Sequence, residues 1–190
     1  MSQGSLFDDD PDDEPSVSGA GPSRQALVVA ATDGSARPNP GHAAGSWYVS
    51  DDCWQAVPVP GVSTNNVGEL TAIHALLRAV PADRPLHVVY DSTYAQSCVT
   101  TWSRGWSRGG RLPPEQWVTK AGEPVKNAQL VADVVALLAG RTVTWSKVKS
   151  HTKGTTTEHV LNRAADERAA AAVAALAARR TPEPGPGWTG

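Results

Sequence analysis

Apolar residues in this chain fall into short runs separated by turn residues, and the spacing inside each run predicts its element. The run ALVVAATDG is apolar and ends at a turn, which predicts a buried strand. PNPG follows as a tight turn. AAGSWYVS and DCWQAVPV then read as two strands of a hairpin meander. TNNVGELTAIHALLRAV opens with polar capping residues. It places Leu70, Ile73, Leu77 and Val80 at spacings of three, four and three, which is one face of a helix. Pro81 and Pro85 end that helix. LHVVYDS predicts another buried strand with a polar exit, and STYAQSCVTTW continues as a helix. NAQLVADVVALLAG is helical with Gly140 as its stop, and RTVTWSKVKS alternates like a strand. The Ala-rich stretch from Glu158 to Ala178 predicts a last helix. Strands meeting helices across short connections imply an α/β domain with a mixed sheet.

The two ends break the pattern. Residues 1–24 are acidic and rich in Gly, Pro and Ser, a composition that favours disorder. Residues 179–190 include TPEPGPGWTG and are expected to form a flexible tail. The folded domain is therefore expected at 25–178. No internal repeat is visible.

Charge changes the picture more than composition does. The net charge is −2, from 17 bases and 19 acids. Six of those acids, Asp8, Asp9, Asp10, Asp12, Asp13 and Glu14, lie in the first 23 residues, so the rest of the chain balances at +4. Between Thr101 and Lys153 there are nine bases and three acids, whereas residues 25–100 carry three bases and six acids. A basic half beside a half with spare carboxylates suits a protein that grips a polyanion with one part and holds cations with another. Cys53 and Cys98 are too few for a disulfide framework or the usual structural zinc site, and they read as reduced thiols of a cytoplasmic protein. The start, MSQGSLFDDD, lacks the basic and apolar regions of a secretory signal, and no apolar run is long enough to span a bilayer. No long apolar face is left over, so a monomer is expected.

Four acids stand out by position. Asp33 is expected to end the first strand, Glu69 lies early in the first long helix, Asp91 follows the strand LHVVY, and Asp166 lies in the last helix. Ligands of α/β sheets bind at strand ends. Carboxylates converging there repel one another, and hard divalent cations such as Mg²⁺ or Mn²⁺ remove that repulsion. Two such ions about 4 Å apart can activate a water and stabilise a leaving oxygen in phosphodiester hydrolysis. Each acid alone also has a plainer reading: Asp33 and Asp91 as turn or N-cap residues, Glu69 as a first-turn acid, and Asp166 as a solvated helix position.

The local sequences carry more. TDGSARPNPG, TNNVGEL, YDSTY and the run KSH followed by NRAAD resemble, in order, the motifs of type I ribonuclease H. The resemblance covers the chain from about Val28 to Ala170. It implies a ribonuclease H-like fold, a five-stranded mixed β-sheet flanked by α-helices. It also implies Mg²⁺-dependent cleavage of the RNA strand of an RNA–DNA hybrid, leaving 5′-phosphate and 3′-hydroxyl ends. Asp33, Glu69, Asp91 and Asp166 match the family's metal-binding carboxylates, and His151 matches its loop histidine, which assists proton movement or product release. The loop between His151 and Asp166 is longer than in the best-known members. His42, His74, His87 and His159 have no such support and read as structural or surface residues.

The same resemblance implies where a hybrid is held. Telling RNA from DNA requires contact with the 2′-hydroxyl. Asn39, Asn65 and Asn66 match positions that contact the hybrid, although Asn39 is also a turn residue and the other two also suit helix capping. Thr93 stands where many members have Gln, and Asn162 matches an Asn ahead of the last acid. The stretch from Thr101 to Asn127 resembles a basic protrusion that holds the DNA strand. It interleaves Trp102, Trp106 and Trp117 with Arg104, Arg108, Arg111, Lys120 and Lys126. The cations suit phosphates, and the Trp rings suit packing or contact with sugars. In the acidic start, Gln3, Leu6 and Phe7 resemble the short peptides by which bacterial replication proteins bind the sliding clamp, and a solubilising tail is the plainer reading. A hybrid-binding module of the same fold that does not cut would need a missing acid, and none is missing. A 3′–5′ exonuclease usually has Asp-x-Glu on its first strand, whereas Asp33 is followed by Gly34 and Ser35.

Overall fold

The computed structural model describes residues 26–149 and 154–190. Five strands form one sheet: β1 (Val28–Arg37), β2 (Gly41–Ser50), β3 (Cys53–Ser63), β4 (Leu86–Tyr90) and β5 (Val143–Lys147). Their spatial order is β3-β2-β1-β4-β5. β1, β2 and β3 pair antiparallel as the meander expected from sequence, and β4 and β5 add in parallel on the far side of β1. The helices are α1 (Asn65–Ala79), α2 (Thr93–Ser97), α3 (Ser103–Trp106), α4 (Ala128–Leu138) and α5 (Thr157–Ala177). The mixed five-stranded sheet flanked by helices is the architecture that the sequence implied.

Alternation along the strands divides the core into two layers. Val28, Ala30, Trp47 and Val88 face α1 and α4, where they pack with Leu70, Ile73, Leu77, Val131 and Val134. Ala31, Ala44, Tyr48 and Val89 face α5, where they meet Ala165, Ala172 and Val173. Small residues on both sides of this second layer let α5 lie close to the sheet. Ser46 Oγ donates to the Ala165 carbonyl at 2.6 Å and ties the two together.

Three expectations need adjustment. β1 does not end at Asp33 but runs to Arg37, because its antiparallel ladder with β2 continues after its parallel pairing with β4 stops at Ala31↔Val89. The helix read through STYAQSCVTTW is interrupted by a π-helical turn at Cys98–Trp102. The segment 179–190, expected as a tail, lies against β3. Ala56 N–H donates to the Pro184 carbonyl, Gly187 N–H donates to the Trp54 carbonyl, and Trp188 packs on the α1-side core. Both cysteines are buried and free. Among the described residues no helix is long and apolar enough to cross a membrane.

Candidate active site

Asp33 and Asp91 lie side by side because β1 and β4 are parallel neighbours. The last paired residues are Ala31 and Val89, and each acid stands two positions beyond. Alternation places Asp33 with Val29 and Ala31 on the α5 side of the sheet. Glu69 comes from α1, whose N-terminal turns press directly on the strands. A Cβ built on Gly34 would stand 2.2 Å from the Glu69 amide nitrogen, and one on Gly45 would stand 2.2 Å from the Gly68 carbonyl oxygen. Gly68 itself approaches the Ala44 carbonyl oxygen, which would stand 2.6 Å from an added Cβ. The three glycines remove the side chains that would hold α1 away, so Glu69 is delivered to the strand carrying Asp33.

One carboxylate oxygen from each of Asp33, Glu69 and Asp91 lies within 4.8 Å of the other two. Asp166 approaches from α5, near enough for its charge to act on the Asp33 carboxyl. Asp33 and Glu69 keep only 5 % and 6 % of their surface exposed. Burial, followed by the charges of Asp91 and Asp166, pushes the Asp33 carboxyl up to about 8, against a smaller lowering by the Gly34 N–H it accepts at 2.8 Å. Burial, then the charges of Asp33 and Asp91, raises Glu69 well above its ordinary range. Crowded, desolvated oxygen donors of this kind fit a hard divalent cation, whose charge cancels the repulsion that raises them.

Asp91 and Asp166 border a cleft between Lys149 and α5, where His159, Asn162 and Arg163 also line it. Asn162 is buried, and among the described residues its Oδ1 has no hydrogen-bond partner. His159, read from sequence as structural or surface, borders this cleft with its Nδ1 2.6 Å from Thr156 Oγ1. Arg163 was not singled out at all. The signal was present: His159, Asn162, Arg163 and Asp166 follow one another at three, one and three, a single helical face.

Elsewhere the expected residues separate into groups. Asn39 and Asn65 are neighbours, with Asn39 Oδ1 accepting the Asn65 N–H at 3.3 Å. Asn65 and Asn66 are exposed and do not cap α1, because Thr64 does so by accepting from Val67 N–H. Thr93 Oγ1 accepts from Lys147 Nζ, a cation the sequence reading had only counted. Around the stretch after Thr101, rings meet edge-on or tilted in a ladder: Tyr94, Trp102, Trp106 and Trp117, with successive centroids 6.0, 5.9 and 6.2 Å apart. Trp106 and Trp117 pack on the core, whereas Trp102 is 43 % exposed. Arg104, Arg108, Arg111, Lys120 and Lys126 are all exposed around this ladder. His151 and the residues Gln3, Leu6 and Phe7 lie outside the described residues.

A family model for RNase H matches residues 25–174. Among curated proteins, Ribonuclease HI of Streptomyces coelicolor is 42% identical over 163 residues, covering 83% of this chain and 68% of that protein. Ribonuclease H of Tropheryma whipplei is 36% identical, covering 85% of this chain and 94% of its own length. Two solved structures share the fold at 21% identity. LC9-RNase H1, described as a type 1 RNase H with the type 2 active-site motif, has a TM-score of 0.60 and covers 79% of this chain and 73% of its own. The PFV RNase H domain has a TM-score of 0.58 and covers 75% of this chain and 91% of its own. With three acids converging where β1 and β4 part and a fourth on α5, and with this match over most of its length, the chain belongs to the RNase H family.

Proposed function

We propose that this protein is an endoribonuclease that hydrolyses the RNA strand of RNA–DNA hybrids, leaving 5′-phosphate and 3′-hydroxyl ends, with two Mg²⁺ per site and Mn²⁺ as a substitute. The convergence of Asp33, Glu69 and Asp91 oxygens within 4.8 Å is the observation that carries the reading. When bound, the ions supply Lewis-acid activation of water and charge neutralisation at the leaving oxygen. Asp33, Glu69, Asp91 and Asp166 hold them. Asn162, with its buried and unpaired Oδ1, accepts a hydrogen bond from the RNA strand. Asn39, Asn65, Asn66 and Thr93 offer short polar contacts along the groove, where 2′-hydroxyls distinguish RNA from DNA. Arg104, Arg108 and Lys126 meet phosphates of the DNA strand, and Trp102 and Trp106 stiffen and flank that surface. His151 moves a proton or speeds product release, a task suited to an imidazole.

The test is cleavage of a labelled hybrid beside duplex RNA, single-stranded RNA and duplex DNA, with Mg²⁺, Mn²⁺ or chelator, and with Asp91→Asn. Cutting of the hybrid's RNA strand alone, lost with chelator and in the variant, is the expected result. Tight hybrid binding without cutting under either metal would replace this reading with a binding module. The cellular setting we propose is the cytoplasm, with Gln3, Leu6 and Phe7 docking on a bacterial sliding clamp. Clamp binding that is the same with and without residues 1–7 ends that part.

A further inference from the structure

The segment 181–188 wraps around the free edge of the sheet. It leaves α5 with Thr181 and Glu183 bordering a recess shared with Trp54, Arg168 and Ala172. It then runs along β3, accepting from Ala56 N–H through the Pro184 carbonyl and donating from Gly187 N–H to the Trp54 carbonyl, both at 3.0 Å. It ends on the opposite face of the sheet. There Trp188 lies beside Ala75 and Ala79 of α1, with the Arg84 guanidinium 5.7 Å from its ring centre. The Ala56 bond shows which way the outer N–H groups of β3 point. By alternation, positions 58 and 60 point the same way, and both are prolines with no N–H to offer. The strap covers the part of the edge that the prolines leave open.

The strap also bears on Trp54. Gly185 sits at φ +84°, and a Cβ there would stand 2.6 Å from the Trp54 carbonyl oxygen and 2.7 Å from its ring. The Trp54 ring is one of two that the Arg168 guanidinium lies over. The guanidinium lies 4.7 Å from the Trp54 ring centre and 4.4 Å from that of Tyr48. Its Nη2 donates to Asp51 at 2.9 Å, and its Nη1 to the Ala164 carbonyl. Arg168 is two residues beyond Asp166 on α5.

This contact matters because of how α5 meets the sheet. Its inner face carries Ala165, Ala169 and Ala172 between two larger apolar residues, Leu161 near its start and Val173 in its C-terminal half. Small residues pack closely but interlock little, so they resist sliding along the helix axis less than large knobs in holes do. The first half of α5 is held by the Ser46–Ala165 bond and by Glu158 against His87 at 3.4 Å, and beyond Asp166 the Arg168 contacts with Tyr48, Trp54 and Asp51 fix its axial position.

We propose that the 181–188 strap, acting through Trp54 and Arg168, is a positioning device that holds α5 in the register at which Asp166 completes the metal site. The inference rests on the reading of the four acids as metal ligands. Two strap variants test it: a chain ending at Arg180, and Gly185→Ala, which wedges the strap away from Trp54 while leaving its length intact. Arg168→Lys keeps the charge and loses the planar group. Unfolding in chelator first identifies the variants that are folded at the assay temperature. Mn²⁺ binding to the free protein is then measured by calorimetry, and hybrid cleavage is followed against Mg²⁺ concentration.

Each folded variant is expected to weaken metal binding about ten-fold, the size found when groups that orient ligands are removed. Its KM for hybrid at saturating Mg²⁺ should stay within about two-fold, because the basic protrusion is untouched. Combining Arg168→Lys with either strap variant should add little, since both act on the Trp54–Arg168 contact. Unchanged metal affinity in the folded variants, or fully additive losses, overturns the proposal. A wild-type chain that binds metal but does not cut hybrid overturns the functional reading alone, because the calorimetry still judges the strap.

Discussion

Gly34 and Glu69 are in backbone contact: a methyl group on Gly34 would come within 2.2 Å of the Glu69 amide nitrogen and 2.6 Å of the Gly68 carbonyl carbon. No flexible side chain stands there to yield. Gly34→Ala must therefore push α1 off β1, and it moves Glu69 away from Asp33 as it does so. Overpacking of this kind costs about 3 kcal/mol, at the upper end of the usual range because backbone has to move. Urea unfolding should show that loss, and hybrid cleavage by the folded fraction should fall at least as far as in Asp91→Asn. A stable and active Gly34→Ala would mean that α1 has freedom the contact denies.

The acids make the metal-free protein sensitive to alkali. Asp33 is raised to about 8 from an ordinary 3.8 by burial and by Asp91 and Asp166. Between those values the folded chain keeps a proton that the unfolded chain has released. Stability from this group is therefore complete below about pH 4 and is lost as pH climbs toward 8. Asp33→Asn cannot release the proton. In chelator, its Tm should rise relative to wild type as pH goes from 5 to 8. Adding Mg²⁺ at pH 8 should raise the wild-type Tm and leave the variant's nearly unchanged. A Tm difference that is the same at both pH values in chelator would show that Asp33 is not the group titrating.

The strands and long helices were legible because each has a clean period and a visible stop, such as Pro81 or Gly140. The acids were legible as positions but not as a cluster. Nothing local says that α1 can touch β1, since that needs Gly34, Gly45 and Gly68, far apart in sequence, to coincide in space. Asp33 looked like a strand end because its neighbours turn polar, yet hydrogen bonds to β2 carry the strand on to Arg37. Asn162 and Asp166 were legible through the family motif, whereas His159 and Arg163, on the same helical face by spacing, carry no motif of their own. The strap was masked by its composition. Pro and Gly usually mean a loose end, and only Trp188 hinted at something to dock.

The exposed cations around the tryptophan ladder make hybrid binding salt-dependent. Arg104 and Arg108 are exposed beside the half-exposed Trp102. Replacing both with alanine in the Asp91→Asn background should weaken hybrid binding similarly for every sequence. It should also flatten the plot of log affinity against log salt by about 1 per lost contact. Filter binding from low to moderate salt measures both. An unchanged slope would move the DNA strand to another face. Trp106→Ala, by contrast, removes a ring packed between Trp102 and Trp117, so it should cost about 3 kcal/mol of stability.

Arg141 closes the C-terminal end of α1 from a distance. Its Nη1 donates to the Val80 carbonyl at 3.0 Å and its Nη2 to the Leu77 carbonyl at 2.6 Å, satisfying acceptors at the helix end. Gly140, at φ +76°, makes the turn after α4 that aims it there. Arg141→Met keeps the apolar stem and removes both charge-assisted bonds, so it should cost about 2 kcal/mol. Arg141→Lys should recover only part, because an ammonium cannot span two carbonyls in the same fork. Gly140→Ala meets no atom but must hold a left-handed backbone, which costs about 1 kcal/mol. All three lie away from the acids, so cleavage per folded molecule should match wild type at 25 °C. Urea unfolding ranks the variants. An Arg141→Met protein as stable as the parent would show that water satisfies those carbonyls as well as the guanidinium does.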